Sequence, residues 1–339
     1  MDHILNVEDI NVYYGSIHAI KGISFYVDPG EVVTLIGANG AGKSTTMNII
    51  TGYLAPTGGQ VLIEGHDVAL EPEEARKCVG YLPEQPPLYG DMTTREYLLF
   101  AAELKGIAKS DREAQVGRVM ELTHLQEMAG RLIRNLSKGY RQRVGLAQAI
   151  LGFPKIIILD EPTVGLDPKQ VVEIRELIQS LAKEHTVILS SHILSEIRAV
   201  CSRVLIIRKG KFVACDTPEA LEAKLSGDNG LDVAVRGEEA AVSAAVSGLS
   251  GVTVEESHVE GGCVRMRLSA KEDIREALFY ACAQAHLPIM EMHPRTATLE
   301  QVFLDLTDDD DTVAAKAAAL LGGADAAQPD ETQEEVQEA

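Results

Sequence analysis

From Ile4 to about Ser226, short aliphatic runs alternate with amphipathic stretches, the pattern of a mostly parallel sheet flanked by helices. Glu31–Ile36, Lys155–Asp160, Thr186–Ser190 and Val204–Ile207 read as strands buried on both faces. Apolar positions recur at helical spacing in Lys43–Tyr53, Thr94–Lys105, Asp111–Thr123, Ser137–Leu151, Pro168–Lys183 and Ile193–Cys201. Ile4–Val12 and His18–Val27 have period two instead, which predicts an antiparallel lobe ahead of the α/β core. Ser226–Gly230 is a turn-rich break. Beyond it the pattern predicts strand Leu231–Val235, helix Glu238–Leu249, strands Val252–Ser257 and Val264–Leu268, helix Lys271–Ala285 and strand Ile289–His293, the β-α-β-β-α-β order of small two-layer domains. A short helix, Leu299–Leu306, is expected to close that unit. The predicted division is therefore 1–226, 227–307 and an acidic tail at 308–339 that lacks apolar periodicity and reads as disordered, apart from a helical stretch at Val313–Leu321.

Composition narrows the function classes. The chain of 339 residues suits one main domain with a smaller partner. Charged residues interrupt every apolar stretch before the roughly 18 residues needed to cross a bilayer, and Asp2 and His3 directly after Met1 predict no export leader, so a cytoplasmic place is the expectation. A net charge of −20 argues against nucleic acid or an anionic lipid surface as the main partner. Residues 308–339 carry six Asp, four Glu and one Lys, almost half of that charge. Five widely spaced cysteines without a CxxC pair suggest neither a disulfide framework nor a zinc site. His286 and His293 are isolated, and Glu255-Glu256 reads as a solvated strand end, so the second unit shows no catalytic cluster.

Two segments carry chemistry. Gly37-Ala-Asn39-Gly40-Ala41-Gly42-Lys43-Ser44, followed by Thr45, fits a phosphate loop, because it joins an aliphatic strand to a helix. Glycines let backbone N–H groups curl around phosphate oxygens, the helix N-terminus adds its positive end, Lys43 reaches the β/γ phosphates and Ser44 can ligate Mg²⁺. The alternative is a glycine-rich turn with no ligand. Strand Lys155–Asp160 ends in the pair Asp160-Glu161, which in a parallel sheet should face the same crevice. Asp160 suits the Mg²⁺ shell and Glu161 the attacking water; the alternative is a pair of helix-capping acids before Pro162.

Leu136-Ser137-Lys138-Gly139-Tyr140-Arg141-Gln142 resembles the signature of ATP-binding cassette (ABC) ATPases, whose usual form is Leu-Ser-Gly-Gly-Gln. Lys138 and Tyr140 depart from that form. The resemblance extends to Gln85 in Tyr-Leu-Pro-Glu-Gln, to Gly165-Leu166-Asp167 and to His192, which look like the family's Q-loop, D-loop and switch histidine in the family's order. Tyr14 matches the aromatic on which adenine stacks, although Tyr13 stands beside it. The match covers about Ile4 to Ser226. It implies a P-loop cassette with an antiparallel lobe and a helical subdomain, ATP and Mg²⁺ as ligands, and catalytic work by Lys43, Gln85, Glu161 and His192. Ser44, Gln85 and Asp160 would surround the metal, Asp167 would contribute to nucleotide binding, and Ser137 and Gly139 would complete the nucleotide site of an opposite protomer.

Within the family the chain most resembles exporter ATPases of the gliding-motility, copper-enzyme-maturation, drug-export and polysaccharide-export kind. That resemblance implies a homodimer or a pairing with a paralogous ATPase. It also implies a separate transmembrane permease and a peripheral place on the inner face of the cell membrane. A soluble cassette ATPase acting on ribosomes or DNA is the alternative; such proteins usually join two cassettes or carry long coiled coils, and this chain has one cassette and no long heptad run. A P-loop kinase or GTPase is disfavoured by the signature together with Asp160-Glu161.

Overall fold

The computed structural model describes residues 3–191, 193–225, 230–270, 272–295, 299–300 and 303–304. The acidic tail and His192 lie outside the described residues. The chain opens with β1 (Leu5–Tyr14), β2 (Ile17–Val27), β3 (Val32–Ile36), α1 (Lys43–Ile50), β4 (Gly58–Ile63) and β5 (His66–Asp67). There follow α2 (Pro72–Lys77), β6 (Val79–Leu82), α3 (Thr94–Leu104), α4 (Arg112–Leu122), α5 (Lys138–Ile150), β7 (Ile156–Asp160) and α6 (Pro168–Leu181). Next come β8 (Thr186–Ser190), α7 (Leu194–Val200), β9 (Arg203–Arg208), β10 (Lys211–Asp216) and α8 (Pro218–Leu225). The last part is β11 (Gly230–Arg236), α9 (Glu239–Ser247), β12 (Val252–Glu260), β13 (Cys263–Ala270), α10 (Arg275–Gln284) and β14 (Ile289–Arg295).

A six-stranded sheet in the order β10-β9-β3-β8-β7-β6 is the centre of the molecule, parallel except for β10. Every residue of β3, β7 and β8 is buried, as continuous apolar runs require. Alternate side chains serve two separate cores. Ile157, Leu159, Val187 and Leu189 pack with Leu98, Val119, Val144 and Ile174 of the helices, whereas Ile156, Ile158, Ile188, Val33 and Leu35 pack with α1 and the antiparallel sheet β2-β1-β4-β5. Local signals set the helix starts. Thr93 and Glu96 form a reciprocal capping box at α3, Ser137 caps α5, and Asp167 caps α6 with Pro168 at its first position.

The expected α/β core and βαββαβ unit are present, with additions. Strands β4, β5, β6 and β10 and helices α2 and α8 have no counterpart in the sequence reading. Helix α1 ends at Ile50, earlier than expected, because Thr51 caps it and Gly52 turns left-handed. The second unit is a four-stranded antiparallel sheet, β12-β13-β11-β14, whose apolar face packs on α9 and α10 through Val233, Val242, Met266 and Leu278. All five cysteines are unpaired.

Leu299 does not close that unit. It is 2% exposed and packs with Ile36, Ile197, Val204, Ile206 and Leu221, while its backbone N–H donates to Glu222 Oε1 at 3.1 Å. Phe303 lies against the same cluster. The chain after β14 thus returns to the edge of the central sheet. Leu299→Ala is expected to destabilise the protein by about 2–4 kcal/mol, the usual cost of emptying a buried leucine site. Denaturant unfolding of the full chain, followed by a probe of the central sheet, measures this; a change under about 0.5 kcal/mol, the level of an ordinary surface substitution, would show that Leu299 is not a core residue.

Candidate functional site

The phosphate-loop segment follows β3 at the sheet's C-terminal edge. Ala41 N–H bonds back to the Ala38 carbonyl at 3.0 Å, Gly42 takes φ 111° and caps α1, and Thr46 Oγ1 closes onto the Gly42 carbonyl at 2.9 Å. A left-handed φ of that size suits glycine and not the other residues. Asn39 and Gly40 stand exposed at the loop tip, Ser44 is exposed and Thr45 half-buried at the start of α1, and no side chain caps that helix. Lys43 is 8% exposed, with its ammonium over the loop and donating to the carbonyls of Gly37 and, at 3.3 Å, Ala38. Burial pushes this ammonium below the usual lysine range, while Glu161 and then Asp160 pull it back up. Lys43 and the two acids are therefore one electrostatic cluster.

Register explains why they meet. Leu35 of β3 is level with Ser190 of β8, and Ser190 is level with Asp160 of β7, so both chemical segments leave the sheet at one height. Ser190, fully buried, donates its hydroxyl to Asp160 Oδ1 at 2.5 Å and accepts the Glu161 N–H at 2.9 Å. Glu161 has φ 48°, a left-handed value that a non-glycine residue adopts under strain and that turns the chain sharply off the strand. Sequence reading missed Ser190; its only signal was a serine at the end of a strand two residues before His192. Tyr81 on β6 was missed too. Burial and then the nearby Asp160 push its hydroxyl up to about 12, which keeps it a neutral group beside the acids.

The remaining expected residues divide. Gln85 lies exposed in the loop after β6. Tyr14, at the end of β1, is 52% exposed, whereas Tyr13 stacks on His18 with centroids 4.0 Å apart, so of these two tyrosines Tyr14 is the one with no ring stacked on it among the described residues. His192 lies outside the described residues, directly after Ser191. Ser137, Gly139 and Asp167 form a second locus. Ser137 caps α5 by accepting Tyr140 N–H at 3.4 Å, and Asp167 caps α6 by accepting Gln170 N–H at 3.0 Å. Gly139 and Asp167 border a cavity of about 770 Å³ with Tyr140, Arg143, Gln170 and Glu173, and no phosphate-loop residue lines it. Within one chain, then, the signature segment belongs to a different surface from Lys43.

For magnesium, the exposed Ser44 hydroxyl, Asp160 with one oxygen held by Ser190, and the exposed Gln85 amide offer the hard oxygen donors that this ion takes.

Comparison with known proteins agrees with this geometry. A family model described as ABC transporter matches residues 20–164. The linearmycin resistance ATP-binding protein LnrL of Bacillus subtilis (strain 168) is 31% identical over 308 residues, covering 90% of this chain and 98% of its own. The Nod factor export ATP-binding protein I of Paraburkholderia xenovorans (strain LB400) is 32% identical, covering 89% of this chain and 96% of its own. Among solved structures, an ATP-binding cassette in a dimeric post-hydrolysis state with ADP and Pi superposes with a TM-score of 0.57 at 26% identity, covering 63% of this chain and 98% of its own.

Two substitutions test the cluster. Lys43→Ala is expected to abolish ATP hydrolysis and weaken nucleotide binding, because it removes the cation at the loop; unchanged phosphate release would refute that place for Lys43. Ser190→Ala should lower turnover at saturating ATP by roughly tenfold, the worth of hydrogen bonds to charged groups, with ATP affinity nearly kept. A loss of affinity with turnover intact would show that Ser190 holds nucleotide instead of aligning the acids.

Proposed function

Since the chain belongs to the ABC transporter ATPases, we propose that it is the ATP-hydrolysing subunit of an exporter, acting as a dimer around two ATP and driving a transmembrane subunit on a separate chain at the inner face of the cell membrane. One observation carries the reading. Lys43, Asp160 and Glu161 converge at the C-terminal edge of the buried parallel sheet, where a triphosphate and its attacking water would sit. The names of its relatives support export: one confers linearmycin resistance and the other exports Nod factor. Neither points to ribosomes or DNA. Among the described residues no helix is long and apolar enough to cross a membrane, which suits a subunit that docks on its permease.

In this reading the N–H groups from Gly37 through Gly42 and the start of α1 hold the phosphates, Lys43 turns from the loop carbonyls to the β/γ phosphates, and Tyr14 stacks on the base. Ser44, Asp160 and Gln85 hold Mg²⁺, which when bound neutralises phosphate charge. Glu161 polarises the attacking water, held at its angle by Ser190, and His192 reaches the γ-phosphate. The opposite protomer supplies Ser137 and Gly139, and Asp167 of the D-loop contributes to nucleotide binding. Residues 1–226 form the cassette, and 227–307 hold the accessory unit and then, at Leu299 and Phe303, the stretch that packs back on the cassette, with the acidic segment 308–339 following in sequence.

Glu161→Gln tests the composite site. Glutamine keeps the size and loses the charge that polarises water, so hydrolysis should fall by about two orders of magnitude or more while ATP binding persists. Uncleaved ATP should then hold two chains together. Size-exclusion chromatography is expected to show a dimer with Mg-ATP and mostly monomer with ADP; a variant that binds ATP and stays monomeric at every concentration contradicts the composite site in the isolated chain.

A further inference from the structure

Tyr97 belongs to no motif and touches no part of the phosphate-loop cluster. It lies on α3, 3% exposed, in the helical core with Leu82, Val144 and Leu159. Its hydroxyl is 2.5 Å from Gln148 Oε1 on α5 and 3.4 Å from the carbonyl oxygen of Pro87. Pro87 follows Gln85 by two positions, and Gln148 stands on the helix that Ser137 caps. One buried oxygen thus spans from the Q-loop to the signature helix.

A hydroxyl has a single proton, and here it faces two acceptors. It donates to Gln148 in the orientation assigned to that amide; with the amide turned, Gln148 donates to Tyr97 and Tyr97 donates to Pro87. Only the second arrangement, which satisfies Pro87 as well as Gln148, hydrogen-bonds the loop to the helix through Tyr97, and it is the one the link uses. Burial, and then Tyr89, push the phenol up to about 12, so the proton stays on the oxygen at neutral pH. Tyr89 itself packs edge-on against the Tyr97 ring, with centroids 6.0 Å apart.

Neighbouring contacts make the link stiff. A side-chain carbon at Gly145 would lie 2.7 Å from Leu82 and 2.8 Å from Pro86, so the backbone of α5 rests directly on the start of the loop. Further along, the Arg134 N–H donates to the Gly90 carbonyl at 3.1 Å and the Ile133 N–H to the Met92 carbonyl at 3.0 Å. Arg134 also pairs with Asp91 at 2.6 Å. The loop after Gln85 is therefore fastened to the segment before Ser137 and to the body of α5. Tyr97 is the buried side-chain member of this set, and losing its hydroxyl would leave the backbone contacts in place.

We infer that Tyr97 is a positioning residue: its hydroxyl holds Gln85 and the signature helix as one unit, so that displacement of Gln85 by the γ-phosphate also displaces Ser137 and Gly139. The inference rests on the roles proposed above for Gln85 and the signature. Tyr97→Phe in the full chain should leave ATP affinity and thermal stability nearly unchanged and lower turnover at saturating Mg-ATP by roughly fivefold, the worth of one hydrogen bond between neutral groups. Gln148→Leu, which breaks the same link from the other side, should give the same loss, and the double variant no more than either alone.

Epistasis with Gln85 separates the possibilities. Gln85→Ala should itself lower turnover, and adding Tyr97→Phe to it should cost nothing further, because the link then has nothing to position. If Gln85→Ala is impaired and Tyr97→Phe is silent, or the two losses multiply, the positioning role is overturned while the reading of Gln85 stands. If Gln85→Ala turns over normally, that reading and the inference fall together.

Discussion

The chemistry of the molecule depends on one register: Leu35 level with Ser190, and Ser190 level with Asp160. Three strands whose residues are all buried hold it. Odd and even positions feed two different cores, so a slip of one residue would exchange the contents of both and carry Asp160 off the crevice edge. Close packing on both faces thus fixes the heights of the phosphate loop and the acids. The site inherits its precision from apolar residues that touch no ligand.

The same edge has to reconcile opposed charges. A chain of net charge −20 that binds a polyanion needs local positive potential, and Lys43 with the free N–H groups of α1 supplies it. Asp160 and Glu161 sit close enough to bias the Lys43 ammonium upward against its burial, and the same two carboxylates would repel a bare triphosphate. A divalent cation held by these acids would offset that repulsion. Ser190 matters for the same reason. By donating to one oxygen of Asp160 it fixes that carboxylate at the end of β7.

Legibility in the sequence followed locality. The phosphate loop, the acidic strand end and the helices expected to start at Ser137 and Pro168 are contiguous patterns, each with its physical reason inside a few residues, and the structure places them at element ends as expected. What could not be read depends on partners far along the chain. Strand β6 is four residues long and includes Gly80, too short for periodicity to register, and it exists because β7 pairs with it. Leu299 had the helical pattern of a closing element, yet the hollow it fills is lined by Ile197, Val204 and Leu221, from 78 to 102 positions earlier. Ser190 and Tyr97 carry one hydroxyl each, and nothing in a sequence says which hydroxyl is the buried one.

The departure of the signature from the family form shows how such distant partners make a local oddity workable. The Lys138 side chain lies across Gly165, where an added side-chain carbon would come within 2.0 Å of its ammonium, and the Gln170 amide covers Gly139 in the same manner at 2.3 Å. Each of two segments thus offers a glycine to a long side chain of the other. Below them Arg143, 5% exposed, donates to the Thr123 carbonyl at 3.1 Å and pairs with Glu173 of α6. A buried guanidinium needs such partners, since removing one would strand its charge out of water. Lysine at position 138 therefore fills the space over Gly165 that glycine would leave open. That contact places the Lys138 segment against the loop that begins four residues after Glu161.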